Sequence, residues 1–248
     1  MHELARRRTA MRTDRGRGWN PSSPSLAVGS RLLFVLLAAC GGPTTYENLA
    51  DLSVCDPSGE FTTDVDNRFF PLPVGQRIVL EGGGLTVRIT VLDELETVAG
   101  VETRVVEEHE ASGGRVLEIS RNFFAQAVDG TVCYFGEDVD IYDESGNVTS
   151  HAGEWRATGA NVAGIFMPAS PEVGQAFQQE IAPGIAEDQS RIEALGERIT
   201  VPAGTFEDTV TMLDLDPLDG GQDRKVYAAG VGLIVDESAE MTSFEPAA

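Results

Sequence analysis

The chain has 248 residues, with 42% hydrophobic, 7% aromatic and 23% charged side chains, the profile of a globular protein rather than a disordered one. Residues 1–39 hold seven Arg against Glu3 and Asp14, which leaves the remainder with 11 Lys+Arg, 38 Asp+Glu and a net charge of −27. A chain so acidic offers no basic face to a phosphate backbone, so no nucleic-acid partner is expected, and three cysteines exclude a cysteine-rich zinc module.

The first element in chain order is an address. Arg31 precedes the eight apolar residues Leu32 to Ala39, and Cys40-Gly41-Gly42 follows. Eight residues rise only about 12 Å as a helix, against a bilayer core of roughly 30 Å, so the run fits a secretory h-region and not a membrane span. Leu37-Ala38-Ala39-Cys40 resembles the lipobox of bacterial lipoproteins. That resemblance implies cleavage before Cys40, a diacylglyceryl group on its thiol, and acylation of the new amino terminus. Several acyl chains anchor stably where one is marginal. Residues 1–30 are longer and richer in Arg, Pro and Ser than a usual n-region. Either translation starts downstream, for instance at Val28, or the leader is extended. Arg6-Arg7-Arg8 lies more than 20 residues ahead of the apolar run, too far for a twin-arginine signal. The expected division is a leader at 1–39, an acylated Cys40 with a polar tether at 40–64, and one domain at 65–248. The expected location is the cell envelope, at the outer membrane where a cell has one, with the domain outside the cytoplasm.

Export also bears on Cys55 and Cys133, the only pair left once Cys40 is acylated. An oxidising compartment permits their disulfide. Neither has a neighbouring His, Lys or CxxC partner that would make a reactive thiol.

From Phe69 onward, short apolar runs alternate with polar residues. Leu85, Val87, Ile89 and Val91 share one face, Thr86, Arg88 and Thr90 the other, and Val210, Met212 and Asp214 alternate with Thr209, Thr211 and Leu213. This period of two, punctuated by Gly, Asp-Gly and Pro, predicts strands throughout. Only Pro183–Arg191 has the pattern for a helical turn. The chain also repeats itself. Pro73-Val74-Gly75-Gln76 is echoed by Glu172-Val173-Gly174-Gln175, and Ala99-Gly100-Val101-Glu102-Thr103 by Ala203-Gly204-Thr205-Phe206-Glu207. Arg121 to Ala125 is echoed by Lys225 to Ala228, all three at offsets near 100 residues. Two similar meanders are expected, at about 70–137 and 171–238. Ten or more antiparallel strands must close on themselves or curl, which predicts an all-β single domain shaped as a barrel or strongly curved sheet.

Catalytic signatures are sparse. His109 lies in an acidic strand end, and His151-x-x-Glu154 chelates only in a turn, because positions three apart on a strand face opposite sides. No G-x-S-x-G or S-x-x-K motif occurs. The acidic run Glu137, Asp138, Asp140, Asp143, Glu144 superficially resembles a calcium loop. A frame starting at Asp138 fails, because Tyr142 takes a ligand position and Asp143 the glycine position. Glu137, Asp138 and Asp140 stand as weak candidates for a cation, with a solvated strand face as the plain reading. Glu180, Glu187 and Asp188, around a Pro-Gly turn, are weak candidates for ligand binding, or for acid-base hydrolysis if they converge. No cofactor motif occurs, so no cofactor is expected.

Asn67-Arg68-Phe69-Phe70-Pro71-Leu72-Pro73-Val74-Gly75, Phe124-Ala125-Gln126, Tyr134-Phe135-Gly136-Glu137, Met167-Pro168-Ala169, Gln179-Glu180, Ala186-Glu187-Asp188 and Gly230-Val231-Gly232-Leu233 resemble the signatures of a family of secreted bacterial all-β proteins to which no function is assigned. The resemblance covers most of residues 65–237. It implies one exported domain and lends no catalytic residues; where many relatives carry Trp before Tyr134, this chain has Cys133. The expectation is therefore an envelope lipoprotein of non-catalytic binding or interaction type, holding an apolar ligand in a concave sheet or meeting an envelope protein. A calcium-binding protein using residues 137–144, and a hydrolase using Glu180, Glu187 or Asp188, are the alternatives.

Overall fold

Alternating apolar and polar residues with tight Gly turns between them make antiparallel hairpins. The computed structural model describes residues 45–247, and the leader and Cys40 lie outside the described residues. A short strand β1 (Phe61–Thr62) precedes the long meander β2 (Arg77–Gly82), β3 (Leu85–Val98), β4 (Val101–Ser112), β5 (Arg115–Ala127) and β6 (Val132–Tyr142). Then come β7 (Val148–Ser150), β8 (Trp155–Arg156) and β9 (Val162–Met167). The second meander holds β10 (Ala176–Gln178), β11 (Glu180–Ile181), β12 (Gln189–Leu195), β13 (Ile199–Val201), β14 (Gly204–Phe206), β15 (Thr209–Leu215), β16 (Gln222–Ala228) and β17 (Gly232–Asp236), with β18 (Ala239–Glu245) closing the list.

Thirteen strands pair side by side in the order β10-β12-β15-β16-β17-β18-β2-β3-β4-β5-β6-β9-β11. The two ends of this path, β10 and β11, are separated in the chain by Gln179 alone, so one bent segment supplies both edges and the sheet is a nearly closed barrel. Gly164 on β9 permits the approach, since a Cβ there would lie 2.2 Å from the Gln179 carbonyl oxygen. The expected all-β single domain is what forms. The expected helical turn at Pro183–Arg191 does not: Ala182 bridges Ala186 antiparallel across a tight turn and β12 begins at Gln189.

The end of the barrel that carries the turns at 83–84, 113–114, 143–147 and 216–221 is called upper here, and the opposite end lower. Tyr46 packs on Leu215 toward the upper end, and residues 52–73 dress the lower part. The Cys55–Cys133 disulfide, with Cα atoms 5.6 Å apart, staples this segment to β6, and the Phe61 ring meets Phe135 edge-on at 5.3 Å. Asn67 then locks the strap. Its Oδ1 accepts from the amides of Phe69 and Phe70, its Nδ2 donates to the carbonyls of Gly130 and Pro168, and its own amide donates to Gln126 Oε1. Phe70 is thereby delivered into the core, 4.5 Å from Phe166, 5.1 Å from Phe124 and 6.2 Å from Tyr227. A wall of eight strands is already filled by its own side chains, whereas a thirteen-strand path encloses more, and the Phe69–Leu72 strap occupies the surplus at this end.

The two meanders place the same hydrogen bonds at equivalent positions. Gly75 N donates to Val91 O and Val91 N to Gln76 O; Gly174 N donates to Ile192 O and Ile192 N to Gln175 O. Gly75 and Gly174 both hold left-handed φ angles, +90° and +87°, which is why glycine stands in both turns. On β5–β6 a bulge separates the pairs Phe123–Gly136 and Phe124–Tyr134, and on β16–β17 the same bulge separates Val226–Val235 from Tyr227–Leu233.

Candidate functional site

Strand parity sorts the charges in the upper half. On β4, Glu108 and Glu110 are buried and Glu107 and His109 half-buried; on β5, Glu118, Ser120 and Asn122 are buried while Ile119 and Arg121 are half-buried. Buried Glu137 on β6 sits opposite Asn122, and Glu110 opposite Glu118. The second meander contributes Asp214, Lys225 and Asp236, each at most 6% exposed. The interior of the upper barrel is thus polar and rich in carboxylates, above an apolar lower half capped by Phe70.

Lys225 is the resident cation. Its Nζ lies 2.8 Å from Asp214 Oδ2, Asp236 pairs with it across β16–β17, and Ser190 Oγ donates to the other Asp214 oxygen. Burial alone would lower the ammonium's pKa; Asp214 first and Asp236 next outweigh it and hold the group well above its ordinary value. The acids opposite behave differently. Burial is the main cause that raises Glu108, with the charge of Asp236 adding to it. Burial and then the charges of Glu108 and Glu118 push Glu110 well above the carboxylate range. Two phenols reach the same space. The Tyr134 hydroxyl donates to Asn122 Oδ1, and burial followed by the charges of Glu137, Glu180 and Glu108 raises its pKa far up. Tyr227, fully buried, is raised by burial, with Lys225 opposing and Asp214, Asp236 and Glu108 adding to it. Glu110 Oε1, the Tyr227 hydroxyl and Trp155 Nε1 have no hydrogen-bond partner among the described residues. Buried polar atoms left so cost on the order of 1–3 kcal/mol each.

The expected cation set does not come together. Strand alternation turns Glu137 inward, while Asp138 and Asp140 point outward: Arg156 Nη2 donates to both oxygens of Asp138 at 2.7 Å, and Asp140 lies 3.1 Å from His151 Nδ1. Asp143 accepts from the amides of Ser145 and Asn147, which closes its turn and lowers its pKa. His151 and Glu154 do sit in a turn, 3.9 Å apart, yet no three described His, Cys, Asp or Glu side chains form a group able to hold a metal ion. Glu180, Glu187 and Asp188 lie on either side of the Pro-Gly turn. Glu180 is buried near Tyr134, whereas Glu187 Oε1 accepts from Gly184 N to hold the Pro-Gly turn and the Asp188 carbonyl accepts from the amides of Gln179 and Glu180.

No motif in the sequence marks the residues that dominate the interior, Glu108, Glu110, Glu118, Asp214, Lys225 and Asp236. A signal existed: Asn122 and Glu137 recur as Lys225 and Asp236 at offsets of 103 and 99 residues, within the repeat itself. Among the described residues no helix is long and apolar enough to cross a membrane. The chain matches no family model, no curated protein and no solved structure, so its function has to be argued from the geometry.

Proposed function

We propose that this is an exported, envelope-anchored protein of non-catalytic binding type, tethered through acylated Cys40, with the upper interior of the barrel as its binding chamber. The observation that carries this reading is the set of buried, unpartnered polar atoms, Glu110 Oε1, Tyr227 hydroxyl and Trp155 Nε1, inside a wall of carboxylates. Residence outside the cytoplasm draws support from the Cys55–Cys133 disulfide, a bond at home in oxidising compartments. The ligand is polar rather than apolar. The barrel's apolar lining is covered by the chain's own Phe69, Phe70 and Leu72, and the side chains buried in the upper interior are largely ionisable.

The reading is tested by native mass spectrometry of the full chain, exported by its host and purified gently. A retained small-molecule adduct, lost on substitution of Glu110 and Tyr227 together by Gln and Phe, is the expected result. A bare mass in every preparation overturns it.

A further inference from the structure

The segment that leads into the barrel forms one side of a groove. Tyr46 and Leu49 pack on Ala176 and Leu215, a small cluster separate from the main core, and the Ala50 amide donates to the Ala176 carbonyl. Residues 45–52 thus run along the outer wall beside the seam of β10 and β11. Between them and the turns at 182–186 and 216–221 lies an open groove of about 370 Å³, whose apolar lining is Leu49, Leu52, Ile181, Pro183 and Pro217. Its polar lining is engaged within the chain. Gln178 Nε2 donates to the carbonyls of Glu180 and Glu187, and Gln189 Nε2 donates to Gln178 Oε1. Gln189 Oε1 accepts from the Tyr46 amide, and Glu187 Oε1 from the Gly184 amide. A groove of this kind offers hydrocarbon contact and few hydrogen bonds. Ile185 and Leu218, next along the two turns, are exposed and extend its apolar rim.

Thr45 lines the groove as well, and Cys40 stands five residues before it. Five residues span at most about 18 Å when extended, so a group carried by Cys40 is within reach of the groove. We propose that the groove holds one acyl chain of the lipid on Cys40. This rests on the acylated-anchor reading above and gives one of the anchor's chains a place on the protein. A chain that moves from bilayer to groove stays among hydrocarbon, while the wall gains cover for apolar side chains otherwise in water. The bilayer surface is the poorer occupant. Exposed Glu47, Asp51 and Asp219 adjoin the lining residues in a chain whose net charge after residue 39 is −27, and anionic lipid repels such a face. A single acyl chain on a short tether enters without bringing a headgroup layer against those carboxylates.

The test is photo-crosslinking in the membranes of the exporting host. p-Benzoyl-phenylalanine is placed in the full chain at Pro217, at Pro183, or at Val128, which is exposed on the β5–β6 turn at the lower end. The excited benzophenone takes a hydrogen from a neighbouring CH₂ and the two carbon radicals join, so contact is recorded as a new C–C bond. After reduction of the disulfide and trypsin digestion, the mass of the peptide ending at Arg68 shows whether Cys40 is acylated. The expected result is that this peptide is joined through its acyl group to peptide 199–224 in the Pro217 variant and to peptide 157–191 in the Pro183 variant. The Val128 variant should give at least tenfold less. The two groove positions lie on separate turns, so one decides if the other variant fails to fold. An acylated Cys40 without such a link, an equal yield from Val128, or links to phospholipid or to another protein instead, overturns the inference and leaves the anchor standing. An unmodified Cys40 overturns both.

Discussion

Replacing Lys225 by Met removes the buried lysine ammonium while keeping the apolar stem. Lys225 is 4% exposed, its Nζ sits 2.8 Å from Asp214, and Asp236 faces it across the strand pair, so two carboxylates lose their counter-charge at once. Removing one partner of such a buried pair costs about 3–5 kcal/mol. Ser190 still donates to Asp214 in both proteins and does not change the difference. Because the lysine pKa is raised above its ordinary 10.5, its contribution is complete below that value and is lost only as pH climbs through the raised one. The deficit at pH 7 is therefore the full amount. Lys225→Met/Asp214→Asn, which removes charges in pairs, should recover roughly half of it, on the order of 2 kcal/mol. The assay is urea unfolding followed by the fluorescence of Trp155, the only tryptophan after residue 39. A loss below about 1 kcal/mol in the single variant, or no recovery in the double one, refutes the claim that this row is a closed, low-dielectric ion pair.

Glu110 supplies a prediction of opposite sign. Its folded pKa lies above the ordinary 4.5, so its contribution to stability is greatest below that pH and falls as pH rises through the raised value; Glu110→Gln should remove this slope and be more stable than wild type at pH 8 by about 1.4 kcal/mol per tenfold displacement of the ionisation constant, read from urea midpoints between pH 4.5 and 8. Gly164→Ala forces a Cβ to within 2.2 Å of the Gln179 carbonyl and should open the seam between β9 and β11, at a cost of about 3 kcal/mol or more, with amide exchange accelerated at 162–165 and 179–181 before it rises elsewhere. Cys55→Ser with Cys133→Ser opens a loop of 78 residues and should cost up to about 4.5 kcal/mol on chain-entropy grounds; an unchanged urea midpoint would show that the strap is held by Asn67 and Phe70 alone.

Local pattern carried most of the wall. The alternation in Leu85–Val91 and the turns at Gly75 and Gly174 lie within a few residues of the structure they specify, and they were legible for that reason. The Cys55–Cys133 pair followed from counting. That the sheet would close or curl followed from the number of strands, but where it closes was not legible, because the seam rests on β10 and β11, two or three residues each, and on the absence of a side chain at Gly164. The interior charges were hidden by a different effect. Both faces of β5 are buried around Phe123, Phe124 and Ala125, with Phe124 against Phe70 in the core and Phe123 under the Arg156 guanidinium, so burial does not reveal which parity points inward. Once the register is known, Glu137 goes in while Asp138 and Asp140 go out, and a run that looked like one acidic cluster divides between two faces of a sheet.

The account turns on what sits between Glu108, Asn122, Glu110 and the Tyr227 hydroxyl. A high-resolution crystal structure of the chain purified from its exporting host tests this most directly. The account predicts density for a small non-protein molecule within hydrogen-bond distance of Glu110 and close to Asn122. Density from the chain's own residues there, or water alone satisfying those atoms, would contradict it.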